Sequence, residues 1–171
     1  MLSKGNILRI IMWLFFLIGG AVISIHFDKI YFDTWFNSLI FHLISFVIGY
    51  LLLKMVLKGA RNTGRFLSDN GRKGNIPRLQ TNVLVTGGLY SKMRHPMHQA
   101  LIFFPLSFAL LVGSPVFIFI IAPIEMLLML IMIKLWEEPE AIKKFGDDYK
   151  QYMKKVPFFC FRPDCLEELL K

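Results

Sequence analysis

The chain has 171 residues, of which 55% are hydrophobic, with a mean hydropathy of +0.53 and a formal net charge of +8. A soluble domain of this length is about 45–50% apolar, so the composition argues against an ordinary soluble protein. The basic residues lie outside the long apolar runs. We therefore attribute the positive charge to membrane topology and expect no nucleic-acid partner.

Four apolar stretches approach the length of about 20 residues that a helix needs to cross a bilayer. We predict transmembrane helices over residues 7–25, 35–57, 96–112 and 116–136. The first run continues to Ile25, which exceeds the apolar region of about 7–15 residues in a signal peptide. It is therefore expected to remain as an uncleaved span, and a polar link containing Asp28, Lys29 and Asp33 should follow it.

Two features shape the region between the second and fourth spans. Residues 58–95 are polar, basic and rich in Gly, which favours a loop with short turns over a long helix. Pro96 suits the first position of a helix, where its missing N–H costs nothing. Since only Gly113, Ser114 and Pro115 separate the third and fourth spans, these spans should form a tight antiparallel hairpin.

After Trp136 the sequence becomes charged, with apolar residues recurring at helical spacing over residues 137–156. We predict an amphipathic helix at the membrane face there, within a cytoplasmic C-terminal region 137–171. Four spans place 19 of the 20 Lys and Arg residues on one side, which should be cytoplasmic together with both termini. The prediction is one all-α, polytopic membrane domain over residues 1–171, in a bacterial inner membrane because the chain is compact.

Two polar clusters border the predicted hairpin. One is Tyr90–Pro96, before the third span, and the other is Glu137–Glu140, after the fourth. An antiparallel hairpin brings both to the same membrane face. Each cluster alone suits an anchor to lipid headgroups or a favourable helix end. Together they form a pocket of both charge signs, which suits the carboxylate, ammonium and sulfonium groups of S-adenosylmethionine.

The two clusters also carry a family resemblance. The stretch NVLVTGGLYSKMRHPMH, a hairpin and then EEPEAIKKFGDDYKQYMKKVP resemble the isoprenylcysteine carboxyl methyltransferase and phospholipid methyltransferase superfamily. The family pattern is roughly LVTxGxY, three residues, RHPxYxG, a hairpin, and EExxLxxxFGxxYxxYxxxVPR. The resemblance covers residues 70–157 and implies an integral membrane enzyme that uses S-adenosylmethionine to methylate a lipid or prenylated acceptor.

The resemblance implies a set of cofactor-binding residues, matched position by position. They are Asn82, Val83, Leu84, Val85, Tyr90, His95, Pro96, Met97, His98 and Glu137. The chain departs from the family pattern at five positions. These are His98 in place of Tyr, Ala100 in place of Gly, Ile133 in place of a substrate-side Arg, Ala141 in place of Leu, and Phe158 in place of Arg.

Other polar residues are candidates for catalysis and substrate binding. From the two clusters we take Arg94 and Glu138 as candidate catalytic residues. An amine acceptor must lose a proton, for which Glu138 or His98 could serve, whereas a carboxylate acceptor needs no base. Lys134, beside the missing Arg, is a candidate substrate-binding residue. Glu125 lies within the fourth span, where it either lines a substrate tunnel or is neutral or paired, with His42 as one partner.

Several alternatives remain open at this point. Cys160 and Cys165 are expected to be free thiols, and no metal site is expected. The leading prediction is methyl transfer of the isoprenylcysteine carboxyl methyltransferase type, with phospholipid N-methylation as the alternative. An NADPH-dependent membrane reductase would need the basic residues 58–78 to bind a phosphate. A non-enzymatic membrane scaffold would use the polar clusters only as anchors.

Overall fold

The computed structural model describes residues 4–77 and 80–171, and the side chains from residue 7 onward within them. Helix accounts for 79% of the structure and these ranges contain no strand, which confirms the all-helical prediction. A 3₁₀ turn covers Gly88–Ser91, and π-helical turns at Phe117–Ile121 and Ile133–Glu137 flank the sixth helix. The α-helices are α1 (Lys4–Tyr31), α2 (Asp33–Phe36), α3 (Leu39–Asn70), α4 (Pro96–Leu101), α5 (Phe104–Val112), α6 (Ala122–Met132), α7 (Glu138–Lys155) and α8 (Pro163–Leu169).

Within the described residues, three helical segments are long and apolar enough to cross a membrane. They are Ile7–Tyr31, Leu39–Asn70 and Phe117–Lys155. The third predicted span, Pro96–Val112, is a shorter apolar segment that the structure divides into α4 and α5. The protein is therefore an integral membrane protein by its helices.

The predicted polar link after Ile25 is wrong, because α1 continues to Tyr31. Asp28 is fully buried within this last part of the helix. Its Oδ1 accepts a hydrogen bond of 2.8 Å from the backbone N–H of Val116. The side chain thus accepts from a helix-initiating N–H that would otherwise lack a partner, which compensates part of the cost of burying a polar group.

The prediction of a loop over residues 58–95 is wrong for its first part, because α3 runs on to Asn70 through Gly59 and Gly64. A glycine inside a helix lowers helix stability by roughly 1 kcal/mol relative to alanine, so the glycines favoured a loop. Packing explains why the helix continues through them. A Cβ on Gly59 would lie 3.0 Å from the Cβ of Ala100, so the glycine allows close approach of the chain around α4.

The predicted turn between the third and fourth spans is confirmed. Gly113 ends α5 in the left-handed conformation with φ of 70°, and its N–H donates to the carbonyl of Ala109. A Cβ at this position would collide with the ring of His42. Both the backbone angle and the neighbouring ring therefore require glycine here.

The contacts within the chain divide the described residues into two compact units. One contains residues 4–56 and 102–130, and it is apolar. Its buried centre consists of Leu17, Ala109, Phe117, Ile118 and Ala122. The other contains residues 57–101 and 131–171. It holds most of the charged residues and both sequence clusters, and its small apolar centre consists of Met93, Cys160 and Cys165, with Leu89 packed against them.

The prediction of free thiols is wrong, because Cys160 and Cys165 form a disulfide. Helix α8 begins at Pro163, between the two cysteines, and turns Cys165 back towards Cys160 so that their Cα atoms are 6.0 Å apart. The sequence offered no sign of this turn, since residues 157–171 show no clear periodicity. Both cysteines are buried against Met93.

Candidate active site

A buried ion pair joins the two sequence clusters. The guanidinium of Arg94 donates from Nε to Oε1 of Glu138 at 2.9 Å, and its Nη2 lies 2.8 Å from the same oxygen. The two side chains are 12% and 8% exposed. Both contacts end on one carboxylate oxygen, and hydrogen bonds between ionised groups are stronger than those between neutral groups. The predicted proximity of the clusters is therefore present within this unit.

The remaining donors of Arg94 bind the segment that follows α7. Nη1 donates to the backbone carbonyls of Val156 at 2.8 Å and Met153 at 3.2 Å. The backbone N–H groups of Arg94 and His95 donate to the carbonyls of Pro157 and Phe158. Arg94 thus fixes the RHP segment against the end of α7, where helix carbonyls lack partners of their own.

His95 lies beside this ion pair. Its Nε2 is 3.3 Å from Oε1 of Glu138, and its ring packs on Phe158 with centroids 4.7 Å apart. Burial, reinforced by the neighbouring His98, lowers the pKa of His95 to about 4, although the contact with Glu138 opposes this shift. The imidazole is therefore neutral at physiological pH, with one ring nitrogen as donor and the other as acceptor.

A second carboxylate–imidazole contact lies one helical turn further along α4. Nε2 of His98 is 3.2 Å from Oε1 of Glu137. These side chains are 19% and 33% exposed, so they are more accessible than Arg94 and Glu138. Consecutive glutamates thus have different surroundings: Glu138 is enclosed by Arg94 and His95, whereas Glu137 faces His98 and retains access to ligands.

Tyr90 occupies a buried position on the 3₁₀ turn. Its ring stacks on Phe66 of α3, with an interplanar angle of 14°, and burial raises its pKa well above the ordinary value. Its backbone carbonyl accepts a hydrogen bond of 2.5 Å from the hydroxyl of Tyr152. Tyr152, the second tyrosine of the FGxxYxxY pattern, therefore holds the turn that precedes the RHP segment.

The predicted cofactor segment 82–85 has mixed surroundings. The side chain of Asn82 forms two hydrogen bonds with the backbone of Lys73, and the N–H groups of Asn82 and Val83 both donate to the carbonyl of Gly71. Val85 is buried against the position of Gly71, and Leu84 is half-buried. The polar groups of Asn82 are thus used within the loop, which leaves the apolar side chains as the surfaces for a ligand.

The other predicted residues lie as follows. Pro96 is fully buried at the start of α4, and Met97 is half-buried with its sulfur towards Gly64. Lys134 is exposed. Glu125 is 3% exposed in the apolar unit, and its Oε2 has no hydrogen-bond partner among the described residues. It does not pair with His42, whose Nε2 lies 2.6 Å from the carbonyl of Phe36.

Sequence reasoning missed Gln99 and the tail that it binds. The Gln99 amide donates to the carbonyl of Cys160 at 2.6 Å and accepts from the N–H of Cys160 at 2.9 Å. This reciprocal pair is buried and fixes residues 158–160 next to His95. A polar residue within an apolar run was the available signal, because such groups are rarely buried without partners.

Two segments distant in sequence thus bring together the partly exposed carboxylate of Glu137, the imidazoles of His95 and His98, and the ring of Phe158. A carboxylate and aromatic faces are the groups that bind an ammonium or sulfonium ion. Glu138, held by Arg94, contacts the imidazole of His95, and Glu137 contacts the imidazole of His98. The cluster thus offers a carboxylate oxygen and ring nitrogens to a cationic ligand.

The phospholipid methyltransferase family model matches residues 37–148, which is more than half of the chain and includes both polar clusters and the first part of α7. No curated protein and no solved structure matches the chain.

Proposed function

The chain belongs to the phospholipid methyltransferase family, and from that membership we propose that it transfers the methyl group of S-adenosylmethionine to a lipophilic acceptor at the cytoplasmic membrane face. The observation that carries the proposal is the contact of His98 with Glu137 beside the Arg94–Glu138 pair. Two motifs separated by a hairpin thereby contribute to one cluster. A cluster of mere lipid anchors would not require this pairing.

Within this proposal, Glu137 binds the ammonium group of the cofactor, because it is the more accessible carboxylate of the pair. His95 and His98 line the same place, together with Pro96 and Met97. Tyr90 and residues 82–85 contribute apolar surface to the rest of the cofactor, with the Asn82 side chain retained by the loop.

The cofactor supplies an activated methyl group on its sulfonium, so the protein mainly aligns the acceptor and excludes water. We propose that Arg94 and Glu138 act by positioning His95 and the RHP segment, since their polar atoms contact protein groups. For an amine acceptor, the displaced proton passes to a base. His98 is the better candidate than Glu138, because Glu138 already accepts from Arg94.

We propose four crossings, with both termini in the cytoplasm of a bacterial cell. The chain enters the apolar unit twice, as residues 4–56 and as residues 102–130, and each passage contains two apolar runs joined by a short turn. Four crossings place residues 58–95 and 137–171 on one membrane side, and these residues contain most of the Lys and Arg residues. The segment 138–155 is proposed as the amphipathic helix of that face.

The acceptor is proposed to be a lipophilic molecule that enters from the membrane, with Lys134 and Glu125 as candidate contacts. A prenylated cysteine carboxylate and a phospholipid amine are the two acceptor chemistries of the superfamily that the motifs resemble. The replacement of the family tyrosine by His98 places an imidazole at this position, which an amine acceptor would use as a base and a carboxylate acceptor would not need.

The test is transfer of a labelled methyl group from S-adenosylmethionine by purified protein in lipid nanodiscs. A prenylcysteine analogue and a phosphatidylethanolamine are supplied in separate reactions. We expect incorporation into one acceptor, loss of at least about 100-fold in Glu137→Gln, and no loss in Asp148→Asn, an exposed carboxylate on α7. No transfer to either acceptor, together with no binding of S-adenosylmethionine, would favour the scaffold or the reductase.

A further inference from the structure

The cluster that faces the proposed cofactor contains a set of metal-ligating atoms. One ring nitrogen from each of His95 and His98 and one carboxylate oxygen of Glu137 all lie within 4.8 Å of one another. The two histidines are three residues apart at the start of α4, so both side chains lie on one face of that turn. Glu137 reaches them from the opposite end of the hairpin sequence.

We propose that His95, His98 and Glu137 form a binding site for a divalent transition-metal ion of the Zn²⁺ type. Two imidazoles with one carboxylate are a ligand set that suits zinc and its neighbours rather than Mg²⁺ or Ca²⁺. Bonds of about 2.0–2.1 Å in a tetrahedral site place ligand atoms about 3.3 Å apart. The contact of 3.2 Å between His98 and Glu137 already has this spacing, and all three ligand atoms lie within 4.8 Å of one another, so an ion that binds all three must draw His95 closer.

The surroundings of the cluster support a metal site. Glu138 lies 3.3 Å from Nε2 of His95 and is itself held by Arg94. A carboxylate at one imidazole nitrogen commonly orients the ring for a metal at the other nitrogen. The half-exposure of His98 and Glu137 provides a path for the ion. Three protein ligands also leave a fourth position for water or an incoming ligand.

This site depends on a feature of this chain and not on the superfamily pattern. The pattern that the chain resembles has tyrosine where His98 stands, so the set of two imidazoles arises from this replacement. The same three side chains are proposed to contact S-adenosylmethionine. The metal ion and the cofactor are therefore mutually exclusive, and zinc acts as a competitive inhibitor of cofactor binding. This last statement rests on the proposed function, whereas metal binding itself does not.

The experiment measures metal binding directly, on the full chain in detergent and without cofactor. Zn²⁺ is titrated by calorimetry, and Co²⁺ is titrated in parallel because its visible absorption reports the ligand geometry. We expect one ion per chain in the wild type. His98→Tyr restores the family residue and Glu137→Gln removes the carboxylate, and each should weaken binding by on the order of 100-fold. His26→Gln removes an exposed histidine of the apolar unit and should bind as the wild type does.

Two results would overturn the proposal. One is the absence of stoichiometric Zn²⁺ or Co²⁺ binding by folded wild-type protein. The other is binding that His98→Tyr and Glu137→Gln leave unchanged, which would place the ion elsewhere. A separate titration with S-adenosylmethionine distinguishes the two proposals. Cofactor binding without metal binding removes only the metal site, and metal binding without cofactor binding removes the proposed function. In the wild type, saturating Zn²⁺ should abolish cofactor binding, and His98→Tyr should bind the cofactor in its presence.

Discussion

Replacement of Glu138 by alanine should destabilise the unit that contains residues 57–101 and 131–171. The side chains of Arg94 and Glu138 are 12% and 8% exposed, so water cannot replace the lost carboxylate fully. Removal of one partner from a buried ion pair costs about 3–5 kcal/mol. Arg94 retains its bonds to the carbonyls of Met153 and Val156, which places the expected loss at the lower end, about 3 kcal/mol. Glu138→Gln keeps an accepting oxygen and should cost less.

The assay is chemical unfolding in mixed detergent micelles, followed by helix content. The control is Asp147→Ala, which removes the carboxylate of an exposed pair with Lys150 and should have no measurable effect. The reasoning would be refuted if Glu138→Ala unfolded within about 0.5 kcal/mol of the wild type, as a surface substitution does. Equal losses in Glu138→Ala and Glu138→Gln would also contradict it, because the accepting oxygen would then contribute nothing.

Three further predictions follow from individual contacts. Gly49→Ala should lower the free energy of unfolding by about 1–3 kcal/mol, because a Cβ there would lie 2.8 Å from the Cβ of Leu110. The control is Gly19→Ala, whose Cβ meets nothing within 4 Å and should cost no stability. Unfolding of the two variants side by side checks this. Gln99→Met should cost about 1–3 kcal/mol by leaving both backbone groups of Cys160 without partners, and a wild-type unfolding curve would contradict the reciprocal bond. The His95 ring should remain neutral as the pH falls through 6.5 and gain its proton only near pH 4. The stability that the neutral ring contributes is therefore present above about pH 6.5 and decreases towards pH 4. NMR of labelled histidine measures this pKa, and titration of His95 near pH 6.5 would show that the ring is hydrated.

The large features of the fold were accessible from sequence because they depend on local composition. Apolar runs of helical length identified the membrane helices, and Gly113 with its neighbours identified the turn. The hairpin then brought Arg94 and Glu138 to one place, although 44 residues separate them. Here the topology of two adjacent helices was sufficient, with no knowledge of side-chain packing.

The remaining features depend on contacts between distant residues, which periodicity does not reveal. In the sequence, Asp28 suggests a polar link between helices. Only its hydrogen bond with the backbone N–H of Val116, 88 residues away, explains why it is buried in a helix. Gly59 suggests a loop in the sequence, and its place in a helix is explained only by the close packing of Ala100 against it. Similarly, the partnership of His98 with Glu137, and of His95 with Glu138, depends on the register of two helices that the sequence does not specify.

The central claim is that Glu137 belongs to an S-adenosylmethionine site. Its most direct test is calorimetric titration of the cofactor into detergent-purified, metal-free protein, with wild type beside Glu137→Gln. We predict saturable binding to the wild type and loss of that binding in the variant, with helix content unchanged. Binding that is equal in both proteins would remove Glu137 from the site, and the absence of binding to folded wild type would contradict the proposed methyl transfer.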